Sequence, residues 1–495
     1  MINGSPCTNA GGSNPKGVPQ PIEVLQINLH RSKAAQYALH RAMQQHNPMI
    51  VLMQEPWTIG NRLAGRIPEA DTHMKKGPDR PRACIQTRGL QTWLMGQFSN
   101  RDMATVQITG ATEGNKPLII SSVYMAAEEP APPTLLKELV RHCRINSLPL
   151  MVGTDANSHH TAWGSTDTNE RGETLMEFLA TEALEWVNKG NKPTFVTRRR
   201  KEVLDLTLAN SFASSLPSKW KVSEEDSLSD HKYIRWNIEN APAITEPYRP
   251  LHKADWNIYR EEIIRTVPPK RSLNNPAELD EYTDEIEKVV LSALERACPL
   301  RSKERKGTAT WWTPKLEDMK KTSRRLLSAA ERSNSHTKWE EYKTHHKWYN
   351  KEIRLAKTTS WRKFTENMET LPQTARVVKA MKGDDRTQLS SVERPEGGLT
   401  TSPKETLEVM LRHHVPANPQ RGGDTGQHPG HQDSAGLERE IVSIERMEDA
   451  LSAFHPYKSP GPDGIPPIAL QNIKGTPLME SYRDIFRASI RMGHI

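Results

Sequence analysis

The feature that most constrains the fold of this chain is an alternation of short apolar runs with amphipathic stretches, which extends from Ile22 to about Asn237. Short apolar runs bounded by polar residues are typical of strands, whereas apolar residues three and four positions apart are typical of helices. The alternation predicts an α/β domain, whose length of about 215 residues is enough for a substantial core. The predicted strands are Ile22–Asn28, Ile50–Glu55, Leu118–Tyr124, Leu150–Asp155, Val203–Leu208 and Lys232–Trp236, and the predicted helices are Ala34–Gln45, Leu135–Arg144 and Glu173–Glu182.

The rest of the chain has a different pattern and divides into further segments. Residues 1–21 are rich in Gly, Pro, Ser and Asn, and predict a disordered lead to the domain at 22–238. From 239 to 411 the strand pattern fades and apolar residues recur at helical spacing, which predicts a mainly helical connector. Residues 412–440 predict a flexible linker rich in Gly, Pro and His, and residues 441–495 begin with one more predicted helix.

Hydropathy and cysteine spacing exclude several classes of protein. The longest apolar stretches, such as Met49–Met53, fall far short of the ~18 residues of a membrane-spanning helix, so no membrane partner is expected. Residues 1–21 contain no apolar core of a signal peptide, so we do not expect secretion. The four cysteines lie far apart without a Cys-x-x-Cys pair, which indicates a reducing compartment and no zinc site.

The positive charge of the chain is concentrated in one segment. The whole chain carries 68 Lys and Arg against 60 Asp and Glu, but residues 301–363 alone carry 18 against 7. Basic helices with interspersed tryptophans predict a platform for nucleic-acid phosphates, with cation–π support. The alternative is a solvated helical pair whose aromatic residues form a small core of their own, and the two interpretations are compatible.

Polar residues capable of phosphodiester chemistry cluster at the predicted strand ends. Each of them taken alone has an ordinary alternative as a solvated loop or turn residue. Phosphodiester hydrolysis needs oxygen ligands for a hard cation, an activated water, and donors that stabilise the developing charge. The carboxylates are Glu55, Asp155, Asp205 and Asp230, and the neutral or protonable donors are Asn28, Asn157, Tyr124 and His231. As a set they predict a hydrolytic site at one rim of the sheet structure.

The order and spacing of these motifs resemble a known superfamily. The motifs are Gln26–Asn28, Gln54-Glu55, Val123-Tyr124, Gly153–His160, Leu204-Asp205 and Leu228–His231, and together they resemble the endonuclease/exonuclease/phosphatase superfamily. Within them, His159–Ser165 followed by Asn169–Gly172 is similar to the apurinic-type endonucleases of non-LTR retrotransposons, especially Jockey-like and related elements. The resemblance implies a four-layered α/β sandwich, in which two packed β-sheets are flanked by helices.

The resemblance also implies the metal and water sites. Glu55 would be the principal ligand of Mg²⁺, with Mn²⁺ as an alternative, and Asn28 and Asp230 would lie close to the metal. Asp155 would orient or deprotonate the attacking water, and Asn157 would hold the phosphate. No small-molecule cofactor is expected.

A second group would act on the scissile phosphate. His231, steadied by Asp205, would donate a hydrogen bond to it with help from Tyr124, because a carboxylate beside a histidine favours the imidazolium. Some members of the superfamily carry a further metal-binding Asp where this chain has His30, so we expect single-metal chemistry and a surface or core role for His30. The pair His159-His160 is also expected to be structural, because no further Cys or His completes a zinc site.

A predicted hairpin with a basic loop precedes Asp205 directly. The segment runs from Thr194 through the loop Arg198, Arg199, Arg200 and Lys201 to Val203. A solvated turn is the ordinary interpretation of such a loop, but its proximity to Asp205 predicts that it grips a DNA groove. The DNA-binding prediction comprises Thr194, Arg198, Arg199, Arg200 and Lys201.

The function implied by the resemblance is that of a metal-dependent DNA endonuclease. It would nick double-stranded target DNA in the nucleus and leave a 3′-hydroxyl primer, and the basic connector would bind element RNA. The segment Lys458–Pro466 resembles the opening of non-LTR reverse transcriptases, but the sequence has no Tyr-x-Asp-Asp turn. An incomplete reverse-transcriptase start without polymerase activity is therefore expected. The alternatives are a catalytically dead nucleic-acid-binding remnant and another phosphodiesterase or phosphatase of the same superfamily.

Overall fold

The chain folds into two compact units. The structure is a computed structural model that describes residues 21–44, 46, 48–67, 69–112, 116–239, 249–301, 311–333, 335–366, 374, 391–414, 441–461 and 463–494. The first unit consists of residues 1–244 with 305–417, and the second consists of residues 245–304 with 418–495. The predicted lead and most of the predicted linker lie outside the described residues.

The described residues of the first unit form two six-stranded sheets and two small two-stranded sheets. The strands are β1 (Ile22–Asn28), β2 (Met49–Gln54), β3 (Thr58–Ile59), β4 (Arg62–Leu63), β5 (Asp71–His73), β6 (Ala83–Arg88), β7 (Gln91–Leu94), β8 (Met103–Thr109), β9 (Leu118–Tyr124), β10 (Leu150–Asp155), β11 (Leu184–Trp186), β12 (Phe195–Val196), β13 (Lys201–Glu202), β14 (Asp205–Asn210), β15 (Pro217–Val222) and β16 (Ile234–Ile238). One six-stranded sheet has the order β15-β16-β1-β2-β6-β5, the other has the order β11-β14-β10-β9-β8-β7, and the small sheets are β3-β4 and β12-β13.

Each sheet contains one parallel pair near its centre, and these pairs determine where the polar strand ends lie. In the first sheet β1 and β2 run parallel, with Asn28 beside Gln54. In the second sheet β9 and β10 run parallel, with Tyr124 beside Asp155, while β14 runs antiparallel and sets Asp205 on the other side of Asp155. The carboxyl ends of four strands therefore gather polar residues at the edges of the two sheets.

The described residues of both units contain helices. They are α1 (Lys33–Met43), α2 (Thr134–Ile145), α3 (Glu170–Thr181), α4 (Trp256–Thr266), α5 (Pro276–Ala297), α6 (Pro314–Ser333), α7 (His336–Glu366), α8 (Pro403–His414), α9 (Ile444–Ala453), α10 (Pro467–Gln471) and α11 (Leu478–Met492). Helix α1 packs on the first sheet and helices α2 and α3 pack on the second, while alternate apolar strand residues fill the space between the sheets. The predicted four-layered α/β sandwich is confirmed.

The two sheets approach each other closely at Gly153. A Cβ atom there would lie 2.6 Å from Leu52 Cδ1 and 2.8 Å from Gln26 Oε1, so only glycine fits without a rearrangement. The Gln26 amide in turn donates hydrogen bonds to the carbonyl oxygens of Thr154 (3.1 Å) and Leu206 (3.2 Å). A buried polar contact thus joins the first sheet to the strands that end at the site.

Strand β6, which the apolar pattern did not predict, carries buried polar residues. Strand β6 is buried along its whole length although it contains Gln86, Thr87 and Arg88. The Arg88 guanidinium donates to the carbonyl oxygens of Met43 (3.0 Å) and Gln44 (3.1 Å), where α1 ends. Because these partners are distant in sequence, the apolar pattern alone gives no indication of the strand.

Helices α6 and α7 form a helical hairpin (Pro314–Glu366) that belongs to the first unit. Its buried residues Leu316, Tyr349 and Ile353 share an apolar cluster with Leu39 and Met43 of α1. The range 239–411, predicted to be a single connector, therefore contributes both to this unit and to the second one. No helix among the described residues is long and apolar enough to cross a membrane.

The second unit is helical and has an apolar core of its own. Tyr259 and Ile263 of α4 and Ile286 of α5 pack with Leu478 and Ile485 of α11. The segment that follows the endonuclease-like domain in the chain thus shares a core with the segment that resembles the start of a reverse transcriptase.

Candidate active site

A buried polar cluster lies at the carboxyl ends of the strands. We define the buried cluster as Asp155, Asp205, His231 and Asn28, whose exposed fractions are between 1 and 5%. His231 Nδ1 is 2.8 Å from Asp205 Oδ2, and its Nε2 is 3.9 Å from Asp155 Oδ2. The Asn28 amide donates to Asp155 Oδ2 over 2.7 Å. The cluster links the two sheets through side chains that are fixed on both sides.

The charges of the buried cluster shift the pKa values of its members. Burial opposes protonation of His231, but the carboxylates of Asp205 and Asp155 outweigh it and raise the pKa of His231 to about 9. Burial, with the neighbouring Asp205 charge, raises the pKa of Asp155 to about 6 although His231 and Asn28 act in the opposite direction. Near neutral pH the pair is therefore an imidazolium beside a carboxylate.

Glu55 and Asp230, the two carboxylates predicted to bind metal, are more accessible than the buried cluster. The Glu55 side chain is 15% exposed and its Oε1 lies 3.0 Å from Arg31 Nη2. The Asp230 side chain is 50% exposed and its Oδ2 lies 3.5 Å from His30 Nδ1. Asn28 Oδ1 accepts a hydrogen bond from the backbone N–H of His30 over 2.8 Å. The side chains of Glu55, Asp230 and Asn28 would each offer an oxygen atom as a metal ligand, and oxygen ligands fit a hard divalent cation such as Mg²⁺.

His30 is exposed on the surface, with a side chain that is 65% exposed, and it lies beside Asp230. Its pKa is raised by the hydrogen bond to Asp230 and by the charges of Asp230 and Glu55, against the effect of burial. His30, Arg31 and Glu55 all have positive φ values, of 45°, 51° and 45°. A tight backbone conformation therefore presents two cationic side chains to the two accessible carboxylates.

Tyr124 has a partner that sequence analysis missed. The Arg82 guanidinium lies 4.9 Å from the centre of the Tyr124 ring, and it also pairs with Asp102 (2.7 Å) and Glu128 (2.9 Å). Burial and the charge of Glu55 raise the pKa of Tyr124 to about 12, so its phenol is a proton donor at neutral pH. No pattern around Arg82 in the sequence pointed to this role.

Asn157 lies beside the buried cluster in a left-handed backbone conformation, with φ of 43°. Its backbone N–H donates to Asp155 Oδ1 over 3.2 Å, and its side-chain amide donates to the Met125 carbonyl over 3.1 Å. Arg171 Nε donates to the Asn157 carbonyl over 3.2 Å. The loop thereby fixes the second oxygen of Asp155.

The motif around His159-His160 is held together by hydrogen bonds and a ring contact within its own loop. The His160 ring accepts a hydrogen bond from Ala162 N (3.0 Å) and lies 5.1 Å from the Trp163 ring. Asn169 accepts from the backbone N–H groups of His159 (3.1 Å) and Gly172 (2.8 Å). A Cβ at Gly172 would lie 1.8 Å from the His159 carbonyl oxygen, so this motif requires glycine there.

The basic loop occupies the tip of a hairpin formed by β12 and β13, and its exposed arginines are named here the arginine loop (Arg198–Arg200). At the base of the hairpin, the Phe195 ring lies 5.0 Å from the His231 ring. The predicted DNA contact by Thr194 is wrong, because Thr194 is buried and its hydroxyl accepts from Asp205 N (2.9 Å). Lys201 is likewise engaged within the protein, because its Nζ donates to the Glu331 carbonyl over 2.7 Å.

Comparison with known proteins agrees with the motif pattern. Residues 118–235 match the family model of the endonuclease-reverse transcriptase family. The retrovirus-related Pol polyprotein from type-1 retrotransposable element R1 of Bradysia coprophila is 21% identical over 342 residues, covering 64% of this chain and 34% of that protein. The chain thus spans about a third of the length of this relative.

Solved structures similar to this chain cover a little under half of it. The endonuclease domain of TRAS1, a telomere-specific non-LTR retrotransposon, is 28% identical, with 44% of this chain and 98% of that chain covered and a TM-score of 0.37. AP endonuclease LMAP from Leishmania major is 9% identical, with 44% and 88% covered and a TM-score of 0.36. Residues 118–235 are therefore similar to the endonuclease-reverse transcriptase family, and the chain is similar to a retrotransposon Pol polyprotein over 342 residues.

Proposed function

We propose that the first unit is a Mg²⁺-dependent endonuclease that nicks double-stranded DNA and leaves a 3′-hydroxyl primer for reverse transcription. The observation that carries the proposal is the buried cluster. In it His231 forms a hydrogen bond with Asp205 through one ring nitrogen and an ion pair with Asp155 through the other. It lies beside Glu55 and Asp230, whose charges act on His30 together. A water-activating group, a proton donor and oxygen ligands are therefore available at one site.

Asp155 is suited to orient and deprotonate the attacking water. Its Oδ2 is held by the Asn28 amide and its Oδ1 by the Asn157 N–H, so the carboxylate cannot rotate away from the site. With a pKa of about 6, it is ionised at neutral pH and still basic enough to accept a proton.

His231 is suited to donate a hydrogen bond to the scissile phosphate. Asp205 holds its Nδ1, which leaves Nε2 as the donor on the side of Asp155. Since the imidazolium is the dominant form at neutral pH, it would stabilise the charge that develops on the phosphate oxygens. The neutral phenol of Tyr124 is a second donor in the same site.

Glu55, with Asn28 and Asp230, would hold the divalent cation, which supplies Lewis-acid stabilisation of the phosphate charge when bound. Arg31 and His30 pair with the carboxylates of Glu55 and Asp230, and the cation would replace them as the partner of these carboxylates. The arginine loop favours DNA over a small phosphate ester, because exposed arginines at the tip of a hairpin whose base contacts His231 suit a polyanionic backbone. We propose the nucleus as the site of action and element RNA as a further partner of the basic helices.

The test is a supercoiled-plasmid assay with Mg²⁺ on the full chain. Asp155→Ala and His231→Ala should each abolish nicking, while Asp79→Ala, which removes an exposed carboxylate outside the site, should nick like the wild type. Extension of the nicked product by an added DNA polymerase tests the 3′-hydroxyl. Nicking that persists in both site variants would refute the assignment, and salt-sensitive DNA binding without wild-type nicking would favour the inactive remnant. Phosphate release from inositol phosphates in place of nicking would favour the phosphatase alternative.

A further inference from the structure

We propose that the helical hairpin and the arginine loop together form a pocket that binds one nucleotide of the cut DNA strand beside the scissile phosphate. The pocket would hold the phosphate of that nucleotide on a cationic rim and its sugar or base against an apolar wall. This inference rests on the proposed endonuclease function and deepens it, because it assigns a substrate contact to a segment outside the sandwich.

The helical hairpin is fixed to the sandwich by buried polar contacts. Asp226 accepts hydrogen bonds from the Ser323 hydroxyl of α6 and from the Tyr342 hydroxyl of α7, the latter over 3.2 Å. Lys232, next to His231 in the chain, pairs with Glu331 of α6 over 2.8 Å. A buried charge that loses its partner costs several kcal/mol, ~3–5 for a broken pair, so these contacts keep the hairpin in one position.

Aromatic and apolar contacts fix the other end of the hairpin. Lys357 Nζ lies 3.4 Å from the centre of the Tyr37 ring on α1 and 4.9 Å from the Trp311 ring. Burial of this amine lowers the pKa of Lys357 to about 8. Ile353 is fully buried in the same cluster as Leu39. The helical hairpin therefore has a fixed position in the unit that contains the candidate active site.

A cavity of about 240 Å³ lies between the hairpin and the sandwich. Its lining includes Arg198 of the arginine loop, Asp230 at the candidate metal site, and Lys347 of α7. Leu327 and Trp339 also line it and provide an apolar wall. Because Asp230 faces both the pocket and the metal site, a nucleotide in the pocket would lie beside the phosphate that is cut.

The charges in this lining favour an anion. Each of its carboxylates has a cationic partner: Glu225 with Arg235 (3.6 Å), Asp230 with His30 (3.5 Å) and Glu331 with Lys232 (2.8 Å). In the part of the chain that the structure describes, Arg198 and Lys347 have no carboxylate within ion-pair distance. Lys343 lines the pocket as well, and its pairing with Glu340 is an exposed one of little energy. The pocket therefore has a surplus of positive charge.

The apolar wall is built on a buried indole. Trp339 is 3% exposed and packs with Ala330 and Tyr342 of the helical hairpin, so its ring is a fixed surface of the pocket. Cations at the rim and an indole in the wall are the combination that binds a nucleotide by phosphate contact and base or sugar packing.

The experiment measures binding of the full chain to a short DNA duplex in EDTA, as a function of salt. The double variant Lys343→Ala/Lys347→Ala should bind about tenfold more weakly and lower the slope of log affinity against log salt by about 1, because the pocket holds one phosphate. The matched control is Lys338→Ala/Lys363→Ala, which removes two exposed lysines of the same helix that lie outside the pocket lining. The control should keep the wild-type slope.

A single neutral methylphosphonate moved along the duplex locates the contact. At one position near a mapped nick, the methylphosphonate should weaken binding by the wild type and leave binding by the double variant unchanged. The reason is that the double variant has already lost the lysines that contact this phosphate. Equal losses in the double variant and its control, or a position effect that survives in the double variant, would overturn the pocket. If the wild type does not nick plasmid, the proposed function fails, but the salt slopes on any duplex still test the pocket.

Discussion

The two pairs of carboxylates at the candidate site are built differently. Asp155 and Asp205 are 1% exposed and hydrogen-bonded to protein groups that are themselves fixed by the sheets. Glu55 and Asp230 have side chains that are 15% and 50% exposed and pair with Arg31 and His30. The side chains of the first pair are fixed in position before any substrate binds. The second pair has cationic partners that a metal ion could replace.

This difference indicates a division of labour. Groups that handle the water and the phosphate charge need constant positions, because small displacements cost large factors in rate. Groups that bind a cation need access to solvent, and a nearby cationic side chain keeps two carboxylates from repelling each other before the metal binds. Substitutions in the buried pair should therefore affect the rate, and substitutions in the accessible pair should affect the metal requirement.

Among variants that keep Asp155 and His231, the largest effect is expected from Asp205→Asn. Because the variant removes the charge that favours the His231 imidazolium, its nicking rate should fall by about 10²–10⁴-fold at saturating Mg²⁺. Asp167→Asn is a matched control, since Asp167 also pairs with a histidine, His159, over 2.7 Å but outside the buried cluster. The control should retain the wild-type rate. A loss of similar size in both variants would contradict the special role of the buried pair.

The pH dependence of nicking tests the same pair. The wild-type rate should rise as pH passes about 6, where Asp155 loses its proton, and fall as pH passes about 9, where His231 loses its proton. In Asp205→Asn the upper limb should move to lower pH, because the carboxylate that raises the pKa of His231 is gone. An upper limb that stays in place in the variant would contradict the assignment of His231 as the proton donor.

A smaller effect on rate is expected from Glu55→Gln. The amide is a weaker ligand than the carboxylate, so the Mg²⁺ concentration for half-maximal nicking should rise about 10- to 100-fold. Much of the rate should return at high Mg²⁺, in contrast to Asp205→Asn, and EDTA should abolish nicking by the wild type. A loss that added metal does not restore would place Glu55 outside the metal site.

The smallest effect is expected from Arg31→Ala. Removal of the guanidinium that pairs with Glu55 should lower the half-maximal Mg²⁺ concentration about two- to fivefold, since an exposed ion pair is worth ~1 kcal/mol or less. The matched control is Arg144→Ala on α2, which breaks a similar exposed ion pair between Arg144 and Glu182 (2.8 Å). A metal requirement that is unchanged, or that rises, would show that Arg31 does not compete with the cation.

Pattern analysis predicted the parts of the fold that depend on local sequence. The strands β1, β9 and β10 have the predicted boundaries, because their apolar runs are buried and their polar ends are abrupt. The edge strand β15 and strand β6 were missed, since polar residues in them find distant partners. The predicted roles of the site residues stay predictions, while the structure brings Asn28, Asp155, Asp205 and His231 into direct contact.

The arginine loop illustrates why some details could not be predicted. Thr194 and Arg198 are four positions apart in one basic hairpin, yet the former is buried beneath Asp205 and the latter is exposed at the tip. Lys201 looked like part of the same basic run but bonds to the helical hairpin. Which lysines and arginines remain accessible to DNA depends on packing between segments over a hundred residues apart.

By itself, the sequence determined the α/β class, the strand ends at which the polar residues collect, and the chemistry that those residue types favour. These properties depend on hydrophobic period and on side-chain type, which are local. Only the tertiary structure decided that the basic helices pack against the sandwich, that His30 and Arg31 oppose the accessible carboxylates, and that a pocket adjoins Asp230. Those properties depend on which segments far apart in the sequence pack against each other. That packing decides the burial of each ionisable side chain, and burial decides both its pKa and its accessibility.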